Sequence, residues 1–226
     1  MKAEGTPNHR SRVAAERREK TRAKLLHSAL IVFSQKGPHA LIEDVIAHAG
    51  MARGSFYNYF KTNEELLVAV ACEVNNELLR AIDPVVQCTT EPTERIACGA
   101  RLLLRAVIEF PQFGSFVSRL PVPTANSSLL GIRFLARDVA LGVVSDRFMR
   151  VRKRAAVDLV AGVVFNAAYS MAREMLEPDY PDAIVKAMLL GLGATESDAT
   201  RIIATPLPNL VLPATSILFQ AQNIQI

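Results

Sequence analysis

The run Arg53-Gly54-Ser55-Phe56-Tyr57-Asn58-Tyr59-Phe60-Lys61 holds the side chains best suited to chemistry in this sequence. Phe56 and Phe60 are four apart, so on a helix they share a buried face. The other face then shows Arg53, Ser55, Tyr57, Asn58 and Tyr59, all hydrogen-bonding groups. Gly54 is thin backbone between them, and Lys61 follows. That assortment suits a helix laid in a DNA major groove, where base edges present donors and acceptors in patterns. No reaction centre competes with it. There is no nucleophile elbow, no phosphate-cradling loop and no convincing pair of carboxylates, so an enzyme is not expected. His9, His27, His39 and His48 lack metal-ligand spacing and read as surface or cap residues. No metal and no cofactor is expected.

Two further helices must position this face. Val45, Ile46 and Ala49 recur at helical spacing and predict a helix over about 42–49. Gly50 supplies the left-handed residue that ends it, and Met51 plugs the angle to the next helix. Upstream, Leu26, Ala29, Leu30 and Phe33 predict a core-facing helix from about 17 to 36, stopped by Gly37-Pro38. Residues 1–16 are polar and are expected to be a flexible basic arm.

These residues carry a resemblance. Asp44-Val45-Ile46, Ala49-Gly50-Met51, the run from Arg53 to Lys61, Glu64-Glu65-Leu66 and the stretch 21–37 resemble the helix-turn-helix region of the TetR family of bacterial repressors. The likeness is specific over about 17–70. It implies an all-α homodimer with an N-terminal three-helix DNA-binding domain and a C-terminal helical domain for effector binding and dimerisation. It implies phosphate contacts for Tyr57, Tyr59 and Lys61, while Arg53 and Ser55 face base edges. Three positions depart from the pattern: Leu41, Ala52 and Asn63 stand where Thr, Ser and Lys are usual. The first two remove helix caps, each worth about 1 kcal/mol. The first and third remove possible phosphate contacts. Arg10, Arg12, Arg17, Arg18, Lys20 and Arg22 are expected to compensate.

Charge agrees with a nucleic-acid partner. Residues 1–61 hold 11 Lys/Arg against 5 Asp/Glu, whereas the remainder holds 15 against 17. A basic head on a mildly acidic body is the electrostatic footprint of DNA binding. The three cysteines, Cys72, Cys88 and Cys98, suggest reduced thiols, with a redox-sensing pair as the alternative. No apolar run is long enough to span a membrane, so a cytoplasmic protein is expected.

The DNA-binding domain is expected over 17–62 and the effector and dimerisation domain over 63–205. Thr62 and Glu65 form a capping box that opens a helix running to about Ile82, where Asp83-Pro84 stops it. Helices are expected near 90–110, 113–119, 128–149, 152–176, 181–192 and 197–205, with a loop at 121–127. Following the resemblance, Phe110, Phe113, Phe116, Phe134, Phe165 and Tyr169 are expected to line the pocket of a small apolar effector. Arg137, Asn166 and Arg173 would add polar contacts. The stretch 152–176 is apolar all round, so it faces both a cavity and a partner. Gly162, Ile184 and Met188 are expected in the dimer interface. A tail over 206–226 is uncharged and broken by prolines; it either packs on the body or invites aggregation. The resulting reading is a dimeric repressor of a palindromic operator, released by a small molecule. The alternatives are a ligand-independent regulator and, more remotely, a helical enzyme or structural dimer.

Overall fold

The computed structural model describes residues 9–119, 130–145, 147–148 and 151–222. Among them are eleven helices and no strand: α1 (His9–Lys36), α2 (Ile42–Ala49), α3 (Arg53–Tyr57), α4 (Asn63–Val86), α5 (Pro92–Glu109), α6 (Pro111–Arg119), α7 (Leu130–Val144), α8 (Lys153–Met171), α9 (Tyr180–Leu192), α10 (Glu196–Ala204) and α11 (Ile217–Gln222). The expected loop at 121–127, residues 1–8 of the expected arm and the end of the tail lie outside the described residues, as does the side chain of Arg10. No described helix is long and apolar enough to cross a membrane.

The head forms around one core. Leu26, Ala29, Leu30 and Phe33 of α1, Val45 and Ala49 of α2, and Phe56 and Phe60 are all buried. Gly50 sits at φ 59°, a conformation that a side chain would strain. Its turn closes with Met51 N donating to the Ile46 carbonyl at 2.9 Å. The helix expected through Phe60 ends at Tyr57. One further helical bond, Phe60 N to the Phe56 carbonyl at 3.1 Å, keeps both rings on the core side.

Several boundaries differ from expectation; α7 ends at Val144 and α8 at Met171, each about five residues early, and two more concern α1 and α4. Residues 9–16 are the first turns of a 28-residue helix, not an irregular arm. They are polar, but Ala14, Ala15, Glu16, Arg17 and Arg18 are strong helix formers, and Arg12 pairs with Glu16 one turn on. The second concerns α4, which runs through Pro84 to Val86. Proline disrupts the turn preceding it, and here the helix stops two residues later. Its start is as expected, with Thr62 Oγ1 accepting from Glu65 N at 3.1 Å.

The body packs α5 and α7 against α4 and α8 against α5 and α7, with α9 against α5 and α8, and α10 against α9. Arg101 of α5, only 8% exposed, donates to Asp182 of α9 at 2.8 Å and to the Thr205 carbonyl at 2.8 Å. The α6 helix bridges the two parts by packing on α1, α5 and α8. Of the two fates open to the uncharged tail, the described residues show packing: Leu212, Ile217, Leu218 and Ala221 are buried.

Candidate nucleic-acid interface and ligand cavity

The first surface is α3 with the three residues after it. Arg53, Gly54, Tyr57, Asn58 and Lys61 are exposed, and Ser55 and Tyr59 are partly so. Open space lies above Gly54, so a groove wall can approach its backbone. Arg53 stands over the Tyr57 ring at 6.0 Å and pairs with Glu43 of α2 at 2.9 Å. Both partners are solvent-exposed, so the pair is weak and easily exchanged. The seven residues expected to meet DNA are thus displayed together.

The departures from the usual pattern have visible consequences. Neither Leu41 nor Ala52 makes a side-chain cap. Asp44 supplies only the reciprocal half of that cap, accepting from Leu41 N at 3.2 Å while pairing with Lys36 at 2.6 Å. The Lys36 bond is the main cause holding the Asp44 carboxyl below the usual carboxylate range. Asn63 donates to the Pro38 carbonyl at 3.0 Å, so its side chain turns inward.

The N-terminal turns of α1 extend the surface. Arg17, Arg18 and Thr21 share a groove with Asn58 and Tyr59. Arg18 stands 5.9 Å from the Tyr59 ring centre, and Arg22 pairs with Glu73 of α4 at 3.7 Å. A basic, helical ledge therefore borders the recognition surface.

The second site is a cavity of about 110 Å³, open on one side and lined by α4, α5, α7 and α8. Leu79, Ile96, Leu103, Phe134, Val164 and Phe165 give it apolar walls, and Asn75, Asp83, Arg95 and Asp138 bring polar groups to it. The Asn75 Oδ1 atom is buried without a partner, which costs free energy until a donor reaches it. Charged groups link the helices around the cavity. Arg137 of α7 donates to Asp83 of α4 at 2.8 Å and to its neighbour Asp138 at 2.8 Å. Arg95 of α5 donates to Asp138 at 3.3 Å. The bonds to Asp138 and Asp83 strengthen the Arg137 guanidinium as a base, so it stays charged.

The expected pocket residues divide. Phe134 and Phe165 line the cavity. Arg137 sits beside it, held over the Phe134 ring at 5.3 Å. Phe110, Phe113 and Phe116 do not line it; they are buried in the general core at and next to α6. Asn166 is exposed, and Tyr169 is covered by Arg173 at 5.1 Å, away from the cavity. The polar set Asn75, Asp83, Arg95 and Asp138 was missed. Its one sequence signal was Arg137-Asp138, a charged pair inside an otherwise mostly apolar helix.

The expected interface residues divide too. Gly162 is exposed, with open space above it. Met188 is buried at 2% in its own subunit, and Ile184 is half-buried against the same core. The exposed stripe of α9 is instead Ala183, Ala187, Leu190 and Gly191. The apolar pattern of α9 was assigned to a partner, whereas it satisfies its own core.

Residues 25–70 match the family model described as bacterial regulatory proteins, tetR family. The uncharacterized HTH-type transcriptional regulator Rv1255c of Mycobacterium tuberculosis is 26% identical over 112 residues, 49% of this chain and 55% of the relative. The HTH-type regulator YvdT of Bacillus subtilis is 38% identical over 63 residues, 27% of this chain and 31% of the relative. The chain thus matches about half or less of the length of these relatives. Among solved structures, RolR in complex with resorcinol is similar at 29% identity and a TM-score of 0.67, covering 87% of this chain and 100% of that one.

Proposed function

Through its N-terminal domain this chain belongs to the TetR family of bacterial regulatory proteins, and on that premise we propose a cytoplasmic, dimeric repressor released from a palindromic operator by a one-ring molecule. The cavity under α4 carries the proposal. Its volume of about 110 Å³ is below the roughly 300–1,000 Å³ of drug-sized sites. It approaches the cavity of about 150 Å³ that accepts benzene. The unpartnered Asn75 oxygen favours a ring bearing a hydroxyl donor. The resorcinol bound by RolR is a small ring of this kind, and that supports the reading.

The mechanism is a shift between two positions of α4. Without ligand, Arg137 links α7 to Asp83 near the end of α4. A hydroxylated ring in the cavity competes for Asp83 and presses on Leu79 and Ile82 of the same helix. Movement of α4 changes the spacing of the two heads, and a dimer must meet successive major grooves about 34 Å apart. The exposed faces of α8 and α9, with Gly162, Ala183, Ala187 and Leu190, pack about the two-fold axis.

Calorimetric titration with resorcinol, paired with a gel shift on DNA flanking the gene, tests the reading. Saturable binding that is lost in Asp83→Ala, with release of DNA by the same compound, is expected. DNA binding that ignores every one-ring phenol points to the ligand-independent regulator instead.

The α1 ledge yields a second expectation. Arg17 and Arg18 occur twice in a dimer, and each phosphate neutralised adds about 0.9 to the log–log salt slope. The double substitution Arg17→Ala, Arg18→Ala should lower that slope by about 3–4 units. An unchanged slope in filter binding removes the ledge from the DNA interface.

A further inference from the structure

The segment after α10 carries no charge, yet its last helix is held by one. Glu77 of α4 accepts from Ser216 Oγ at 2.7 Å, from Ile217 N at 3.0 Å and from Leu218 N at 3.5 Å. Hydrogen bonds to a carboxylate are roughly twice as strong as neutral ones. Beyond this catch, Ile217, Leu218 and Ala221 are at most 3% exposed, and α11 packs on both α1 and α6. Gln222 Nε2 donates to the Glu109 carbonyl at the end of α5, at 2.6 Å. Next to these contacts, Ser34 of α1 donates to Gln112 of α6 at 2.5 Å.

One six-residue helix therefore touches the head through α1, the link helix through Glu77, and the body through α5 and α6. A helix this short does not hold together alone. Its place depends on the carboxylate catch and the apolar contacts, and those lie on elements that must shift against one another if the head is to swing.

We propose that residues 206–222 are a strap that fastens the DNA-binding head to the body, with Glu77 as its catch. The strap pre-orders the heads for DNA, because freedom removed before binding is not lost on binding. It also makes α1 follow α4, so a displacement of the link helix carries the whole head. The effect on DNA rests on the DNA-binding reading above; the fastening itself does not.

The test compares the full chain with Glu77→Gln, Ser216→Ala and a deletion of 206–226. Amide hydrogen exchange over 25–34 and 112–116 should speed up by about tenfold in the deletion, and in the same direction in both substitutions, with α8 and α9 unchanged. Affinity for a random-sequence duplex should fall by up to about tenfold in parallel. Unchanged exchange in α1 and α6 overturns the strap. Faster exchange with unaltered DNA affinity overturns its role in ordering the heads. If the deletion fails to fold, the two substitutions decide. A full chain that binds no DNA overturns the functional reading, and exchange alone then decides the strap.

Discussion

Met188→Glu is expected to unfold the protein, whereas Ala187→Glu, one residue away, is expected to leave it folded and split the proposed dimer. Met188 is 2% exposed and stands on the inner face of α9 with Val185, Leu189 and Leu192. A carboxylate there would replace an apolar side chain inside that core. Burying an unpaired charge costs about 4 kcal/mol or more, a large part of the roughly 5–15 kcal/mol that stabilises a typical domain. Ala187 is exposed on the outer face, so a charge there costs the isolated subunit little. Across a two-fold axis the same charge meets its own copy or a desolvated apolar surface. Thermal melts followed by circular dichroism read the first effect, and sedimentation at low concentration reads the second. A folded Met188→Glu dimer would place that side chain outside the core. A dimeric Ala187→Glu would move the interface away from α9.

Arg53→Ala is expected to weaken operator binding by about 1–3 kcal/mol in each half-site and to relax preference at one base pair. In the free protein Arg53 is exposed and, among the described residues, pairs with the exposed Glu43 and Tyr57, so little holds it back from a guanine edge. Lys61→Ala should act differently. A phosphate contact adds affinity for every sequence alike, so Lys61→Ala should weaken operator and random DNA by the same factor and lower the salt slope by about 0.9 per subunit. Selection of preferred sites from a random DNA pool, repeated for each variant, separates the two. An Arg53→Ala protein that selects the same site as the parent would mean that another part of the surface reads the bases.

The helix-turn-helix was legible because its determinants are local. Gly50 between two periodic apolar runs, and Phe56 with Phe60 four apart, specify the turn and the buried side within a few residues. The displayed face of α3 follows from which side is buried. The Thr62 cap on Glu65 N was legible for the same reason, whereas the Glu65 carboxylate returns to Lys61 N and not to Thr62 N. The start of α1 is not legible from polarity, because residues 9–16 are polar and yet include good helix formers.

Neither the cavity nor the outer face of the body could be read this way. Residues in α8 and α9 are apolar nearly all round, and adjacent positions on a helix differ by about 100°. Met188 and Ala187 thus exchange core and surface through a rotation that only the packing of α5 and α8 against α9 sets. The polar set at the cavity joins Asp83, Arg95 and Asp138 from three helices, and no spacing in the chain announces that meeting. The tail shows the limit most plainly. An uncharged sequence offers Glu77 no cation, and the donors that reach it are two backbone amides and one serine hydroxyl. The sequence determined that the tail would seek burial; only the tertiary structure brought Ser216 within 2.7 Å of a carboxylate 139 residues away, because hydrogen bonds act at contact and contact is decided by the fold.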